Sequence, residues 1–394
     1  MRLPVYLDNN ATTRVDDRVL QAMLPYFSEK YGNAASRQHE YGWIAEGAVE
    51  VARARIASLI GASPSEIVFT SGATESINLA IKGIAERQQG KGDHVITAVS
   101  EHKAVLDTME NLESHGFHLT WLPVDRHGSV DPADVVKAIT AKTILVSIMA
   151  ANNEIGTLAP VDEIGRVCRA RGVPFHTDAT QAVGKVQVSV QQMNVDLMSF
   201  SAHKMYGPKG IGALYVRASR PAMRLVPQMD GGGHERGLRS GTLNVPGIVG
   251  FGSAAEIALR ELTRDAEHTG RLRDRLVSAL QEELQGVTLN GHALHRLPNN
   301  ASLTFGGVDA DRLMMDMKDL AVSTGSACSS ATPSPSHVLQ AIGLTPEAVR
   351  GTLRFGLGRF TTDEEISYAV RRIVETVAKA RGKATPRYSS VGSS

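Results

Sequence analysis

The sequence predicts an α/β fold with a large domain built on a mostly parallel, mixed sheet and a smaller α+β domain after it. Three observations predict it. Short apolar runs alternate with longer amphipathic stretches through the first 250 residues, polar and small residues gather where several of those runs end, and the alternation changes character from about Val245. Apolar strands joined by helical connections build a sheet covered on both faces, and such a sheet places its ligands outside the carboxyl ends of its strands.

Taken in order, the first fifteen residues read as irregular chain packed against the smaller domain. The runs at 66–70, 94–99, 143–150, 173–177, 196–201 and 212–216 read as strands, and the stretches at 74–87, 103–115 and 160–171 as the helices between them. From Val245 a long helical stretch runs to about Gln285. Strand-like 301–305 follows, then helix, strand and helix, a strand at 352–357, and a closing helix at 363–380 in which Ile, Val and Ala recur among charged residues. The expected division is residues 16–250 for the large domain and 1–15 with 251–382 for the small one. The polar tail at 383–394 is expected to be disordered.

The chain has 394 residues, and 42 Lys and Arg nearly balance 41 Asp and Glu, so charge gives no case for nucleic acid or an anionic membrane as partner. The two cysteines, Cys168 and Cys328, exclude a disulfide scaffold and an all-cysteine zinc site, and point to a reducing compartment. The N-terminus lacks the basic region and apolar run of a signal peptide, and no apolar stretch approaches the roughly 20 residues of a membrane span. A cytoplasmic setting is therefore expected.

Three segments carry candidate chemistry. In Ser199-Phe200-Ser201-Ala202-His203-Lys204 an apolar strand ends in hydroxyl, imidazole and amine groups. An amine there can form a Schiff base with an aldehyde cofactor. Lys209, in the following Gly-Pro turn, reads as an exposed surface lysine. In Val173-Pro174-Phe175-His176-Thr177-Asp178-Ala179-Thr180-Gln181 a second strand gives way to polar residues, among them a carboxylate, Asp178, which could pair with a protonated pyridine nitrogen or equally cap a helix. Gln181, just beyond, could bond a phenolic oxygen on the same ring. In Phe69-Thr70-Ser71-Gly72-Ala73-Thr74-Glu75 a strand passes through a small, hydroxyl-rich turn into a helix, which suits a phosphate and also suits a plain capped helix start.

Phosphate seat, ring-nitrogen acid and imine lysine occur in that chain order. Together these segments resemble those of fold-type-I pyridoxal-phosphate enzymes, and among them cysteine desulfurases of the NifS/IscS kind. The resemblance runs from Val5-Tyr6-Leu7-Asp8-Asn9-Asn10-Ala11-Thr12-Thr13 to Arg354-Phe355-Gly356-Leu357-Gly358-Arg359. Its most specific pieces are Ser201-Ala202-His203-Lys204, Gly232-Gly233-His234-Glu235-Arg236-Gly237 with Arg239-Ser240-Gly241-Thr242, and Ser323-Thr324-Gly325-Ser326-Ala327-Cys328. It implies that Lys204 holds pyridoxal 5'-phosphate, that Ala73, Thr74, Ser201 and His203 contact its phosphate, and that Thr242 does so from the second subunit of a homodimer. Asp178 would face the ring nitrogen, Gln181 the phenolic oxygen, and His102 would stack on the ring and move protons. Asn153 would lie near cofactor and substrate, and Arg354 would bind the carboxylate of L-cysteine.

The resemblance further implies that Cys328 takes the substrate sulfur as a persulfide and passes it to an acceptor or iron–sulfur scaffold protein. No resident metal is implied; Cys328 would meet an iron–sulfur cluster only during transfer. The surrounding Gly, Ser and Ala residues pack little, which suits a thiol that must travel. Cys168 falls on a helical pattern and reads as a packing residue. A selenocysteine lyase, another pyridoxal-phosphate lyase or a non-catalytic assembly scaffold are the alternatives. Pro333-Ser334-Pro335 and Ala34-Ala35-Ser36-Arg37-Gln38-His39 depart from the commonest family pattern, and the tail does not resemble the scaffold-binding extension of some members.

Overall fold

The apolar runs become strands because they are short and rich in β-branched and aromatic residues, as in the Ile-Val-Phe-Thr of Ile67–Thr70. The computed structural model describes residues 2–218, 222–324 and 335–382, so Cys328, Pro333 and the tail at 383–394 lie outside the described residues. In chain order the strands are β1 (Val5–Tyr6), β2 (Ile67–Thr70), β3 (His94–Ala98), β4 (His118–Leu122), β5 (Thr143–Ser147), β6 (Phe175–Asp178), β7 (Leu197–Ser201), β8 (Gly212–Val216), β9 (Val287–Asn290), β10 (Asn300–Phe305), β11 (Leu320–Ala321) and β12 (Thr352–Gly356). The helices are α1 (Asp17–Met23), α2 (Pro25–Ser28), α3 (Glu40–Ile60), α4 (Ala73–Gln88), α5 (Lys103–Ser114), α6 (Pro132–Ala138), α7 (Val161–Arg171), α8 (Val245–Glu283), α9 (Ala310–Asp316), α10 (His337–Ala341), α11 (Pro346–Arg350) and α12 (Asp363–Ala380).

Seven strands form the central sheet in the order β2-β8-β7-β6-β5-β3-β4. All neighbours are parallel except β8, which is antiparallel to both β2 and β7. The sheet is thus mostly parallel and mixed, as expected. Since β8 alone is reversed, β2, β3, β5, β6 and β7 all end at one edge. Every residue of β2, β3, β5, β6, β7 and β8 is buried, so both faces are covered.

Several elements escape the sequence reading: β1, within a chain start read as irregular, the short β9, α1, α2 and α6, and two longer ones, β4 and α3. The edge strand β4 is largely half-exposed, and its His-Leu-Thr-Trp-Leu shows neither a continuous apolar run nor a clean alternation. Helix α3 lies along α8 with its outer face carrying exposed Tyr41, Trp43, Ile44 and Val51, which blurs its period. The two helices approach closely because residue 252 is glycine: a Cβ there would stand 2.5 Å from Ala52 Cα.

A second core forms around the antiparallel sheet β12-β10-β9, covered by α12 and the second half of α8. Helix α8 serves both cores. Val245, Ile248, Phe251, Ala255 and Ala258 join the first, while Leu272, Leu276 and Leu280 join the second. Val5 and Leu7 also belong to the second core, and β1 pairs with β11 in parallel. Cys168 is fully buried on α7, and burial pushes its thiol up to about 12, which makes it a packing residue with little thiolate character. Among the described residues no helix is long and apolar enough to cross a membrane.

Candidate active site

The common edge of β2, β3, β5, β6 and β7 opens into a cavity of about 530 Å3. Each strand delivers a different kind of group to it.

β2 leads through Ser71-Gly72 into the first turn of α4. Thr70 Oγ1 lies 2.8 Å from Ser76 Oγ, and Glu75 accepts the Ser71 N–H at 2.7 Å, which fixes the turn. The other oxygen of Glu75 accepts from Arg239 Nε at 2.8 Å. The turn also needs glycine on the neighbouring strand, because a Cβ at Gly212 would stand 2.6 Å from Gly72 Cα. Ala73 and Thr74 therefore present the opening turn of a sixteen-residue helix to the cavity, where backbone N–H groups and the helix dipole favour an anion.

β6 ends on Asp178, 5% exposed, whose Oδ1 accepts the Thr180 N–H at 2.9 Å. The carboxylate thus does make the local turn bond open to it on sequence grounds, and it also lines the cavity. Gln181 is fixed by Asn10, donating from Nε2 to the Asn10 carbonyl at 2.9 Å.

β7 ends on Ser201, whose hydroxyl donates to the Ile211 carbonyl, and a single 3-10 turn (Ala202–Lys204) follows. Lys204 Nζ donates to the carbonyls of Asn10 and Ala11 at 2.6 and 2.7 Å. His203 Nδ1 lies 3.1 Å from Thr12 Oγ1. Burial, then the charges of Lys204 and Lys209, bring His203 down to about 4, so its ring is neutral near pH 7.

The loop after β3 carries His102, which caps α5 by accepting the Ala104 N–H at 3.1 Å. Beside it Glu101 is fully buried and accepts the Met149 N–H at 2.7 Å. Burial, with the nearby Asp178 charge adding to it, holds the Glu101 carboxyl well above the usual range. The loop after β5 is shaped by Asn152, whose Oδ1 accepts the N–H groups of Glu154 and Ile155 and whose Nδ2 donates to the Ser100 carbonyl. This points Asn153 into the cavity with its Oδ1 unpartnered among the described residues.

The structure therefore brings together Ala73, Thr74, His102, Asn153, Asp178, Gln181, Ser201, His203 and Lys204. Arg354 and Thr242 do not line this cavity. Arg354 is buried behind Asn153, donating to that residue's carbonyl at 3.0 Å, and Thr242 is exposed on a separate loop. Lys209 is exposed, as a turn lysine should be, yet lines the same cavity. Sequence reasoning gave no role to Asn10, Thr12, Met149, Thr180 or Glu101. For Asn10 no side-chain signal was available, since its backbone carbonyl does the holding. For Glu101 the signal was a carboxylate next to a site histidine.

The sequence profile of the class-V aminotransferases matches residues 5–368. Cysteine desulfurase IscS of Anaeromyxobacter sp. (strain Fw109-5) is 56% identical over 391 residues, covering 99% of this chain and 96% of that protein. Among solved structures, a NifS-like protein superposes with a TM-score of 0.88 at 43% identity, over 95% of this chain and 98% of that one. SspA in complex with cysteine superposes with a TM-score of 0.80 at 39% identity, over 91% and 99% of the two chains.

Proposed function

The chain belongs to the class-V aminotransferase family, and from that premise we propose that it is a cysteine desulfurase, which takes sulfur from L-cysteine, releases L-alanine and holds the sulfur as a persulfide on Cys328. The observation that carries the reading is the convergence of Lys204, Asp178, Gln181, His102 and the start of α4 on one cavity. The cofactor is pyridoxal 5'-phosphate, and the residues present fit it. Asn10, Asn153 and Thr180 line the cavity and each has a buried side-chain oxygen without a partner among the described residues. A polar, phosphate-bearing ring supplies partners for such groups.

In this reading Ala73, Thr74, Ser201 and His203 hold the phosphate, Asp178 the ring nitrogen, Gln181 the phenolic oxygen and Lys204 the aldehyde carbon. When bound, the cofactor supplies an electron sink for negative charge at the substrate's α-carbon. The chain's own residues do the rest. Asp178 would set its carboxylate beside the ring nitrogen. His102 covers one face. Lys204, held by the carbonyls of Asn10 and Ala11, would move protons at the substrate α-carbon. Arg354 offers a planar fork to the substrate carboxylate and Asn153 orients the bound amino acid. The Cys328 thiolate then attacks the substrate Sγ: an S–S bond forms, the Cβ–Sγ bond breaks, its electron pair stays with carbon, and a proton there completes alanine.

A second copy of the chain completes the site, contributing Thr242. This is supported by the solvent-facing Leu24, Phe27, Tyr31 and Trp43 of the α1–α3 region, large apolar side chains that a second copy would cover. The persulfide goes to an acceptor or scaffold protein for iron–sulfur assembly, in the cytoplasm, where a free thiol survives.

The test is an absorption spectrum of the purified protein followed by an assay of sulfide and alanine with L-cysteine. A yellow protein that makes both in equal amounts supports the reading. A colourless protein that stays inactive after incubation with the cofactor overturns it.

A further inference from the structure

Arg354 is already paired before any substrate arrives. Its side chain is 1% exposed. Nη2 donates to Asp8 Oδ1 at 3.0 Å and to Ser323 Oγ at 2.8 Å, and Nη1 donates to the Asn153 carbonyl at 3.0 Å. Ser323 Oγ in turn donates to the same Asp8 oxygen at 2.9 Å. Nε is buried and has no partner among the described residues. One edge of the guanidinium is thus engaged by an internal carboxylate, while a donor beside it is unused.

Asp8 is not free to leave. Leu7 N–H donates to the Ala321 carbonyl, Asn9 N–H to the Gly356 carbonyl, and Gly356 N–H back to Leu7, so the backbone on both sides of Asp8 is stitched to β11 and β12. A substrate carboxylate reaching Arg354 therefore meets a second negative charge that stays in place.

We propose that Asp8 is a specificity-determining residue: the resident counter-ion of Arg354, whose charge sets how tightly an amino-acid carboxylate is held there. This rests on the reading that Arg354 receives that carboxylate. The two requirements on Asp8 oppose each other. A buried guanidinium without a counter-ion destabilises the fold, so the empty site needs the charge. The same charge repels an incoming carboxylate and weakens its binding. Removing it lowers stability and raises affinity together. A residue that merely propped Arg354 in position would lower both.

The test uses the protein loaded with its cofactor and compares the parent with Asp8→Asn, which keeps the size and the acceptor oxygen, and with Asp8→Ser. L-alanine and its uncharged carboxamide, L-alaninamide, are titrated while the visible absorption is followed, and melting is recorded for each protein. The expected result is a lower melting temperature, alanine bound at least about three-fold more tightly, and alaninamide binding unchanged, so that the preference for acid over amide rises. Arg354→Gln separates the two ideas. If it abolishes the preference while both Asp8 variants leave it unchanged or reduce it, the role of Asp8 is refuted and that of Arg354 stands. If Arg354→Gln leaves the preference intact, the carboxylate does not bind there and both readings fall. If neither Asp8 variant folds where Arg354→Gln does, Asp8 serves folding alone and the proposal is overturned.

Discussion

Glu154 offers a measurable pH signature. It is 4% exposed, next to Asn153, and its Oε2 accepts the Ser336 hydroxyl at 2.5 Å. Burial raises its carboxyl from 4.5 to about 7, against the opposing influence of the Ser336 hydroxyl and of the Arg354 and His102 charges. A carboxyl whose folded value lies above its unfolded value keeps its proton longer in the folded protein. It therefore costs nothing below the unfolded value, and becomes a growing penalty as pH climbs from 4.5 through 7. At about 1.4 kcal/mol per pH unit across that interval, the full penalty near pH 8 is roughly 3 kcal/mol. Glu154→Gln removes the ionisation and keeps a side chain able to bond Ser336. Relative to the parent, the variant should therefore gain roughly 3 kcal/mol between pH 4.5 and pH 8, most of it between pH 5 and 7.5. The measurement is thermal or denaturant unfolding of both proteins across that range. Glu101, also raised by burial, slopes the same way in both and cancels in the difference. A parent-to-variant difference that stays flat with pH would refute the reasoning.

Borohydride reduction of the parent should leave the pyridoxyl group on Lys204, and Lys204→Ala should carry none; label on Lys209 or Lys103 instead would overturn the assignment. Asp178→Ala should retain cofactor but lose about 100-fold or more in turnover, as expected when a charge-stabilising group is removed, and parental turnover would make Asp178 a turn residue only. Cys328→Ala should keep the absorption change on adding L-cysteine yet release no sulfide. Cys168→Ala should keep near-parental turnover and lose about 1–2 kcal/mol of stability, and a persulfide trapped on Cys168 would reverse the two roles.

The parallel strands and their polar ends are legible because a strand buried on both faces leaves a continuous apolar run, broken where chemistry begins. Asp178 shows where legibility stops. The reading at 173–177 ended before it, because a carboxylate looks like a loop residue. In the sheet Asp178 is still paired with Ser199, so β6 continues into the site. Lys204, His203 and the 73–74 turn were recoverable from local residue types. The dock for Lys204 on Asn10 and Ala11 was not, because those acceptors are backbone carbonyls. By its own residue type Arg354 could equally be a strand-edge charge, and only the family resemblance suggests a carboxylate; its resident partner Asp8 lies 346 positions away, and no local pattern links the two.

The glycine-rich segment 231–241 shows how a distant charge pair can support the cavity. Glu235 and Arg236 have φ of 49° and 57°, a left-handed backbone that ordinary side chains adopt only at a cost. The conformation is held because Glu235 is buried and accepts two bonds from Arg53, both at 2.8 Å, and the Phe69 N–H at 2.7 Å. Arg53 also donates to the Ile67 carbonyl and lies over the Phe69 ring, so the pair is satisfied on every side and grips β2. Four residues on, Arg239 bonds Glu75, which holds the Ser71 N–H of the turn that opens α4. A buried pair that lost one partner would leave an uncompensated charge as well as releasing the strained turn. Arg53 thus constrains the start of α4 from both directions, through β2 beneath it and through the Arg239 loop beside it, although Arg53 itself does not line the cavity.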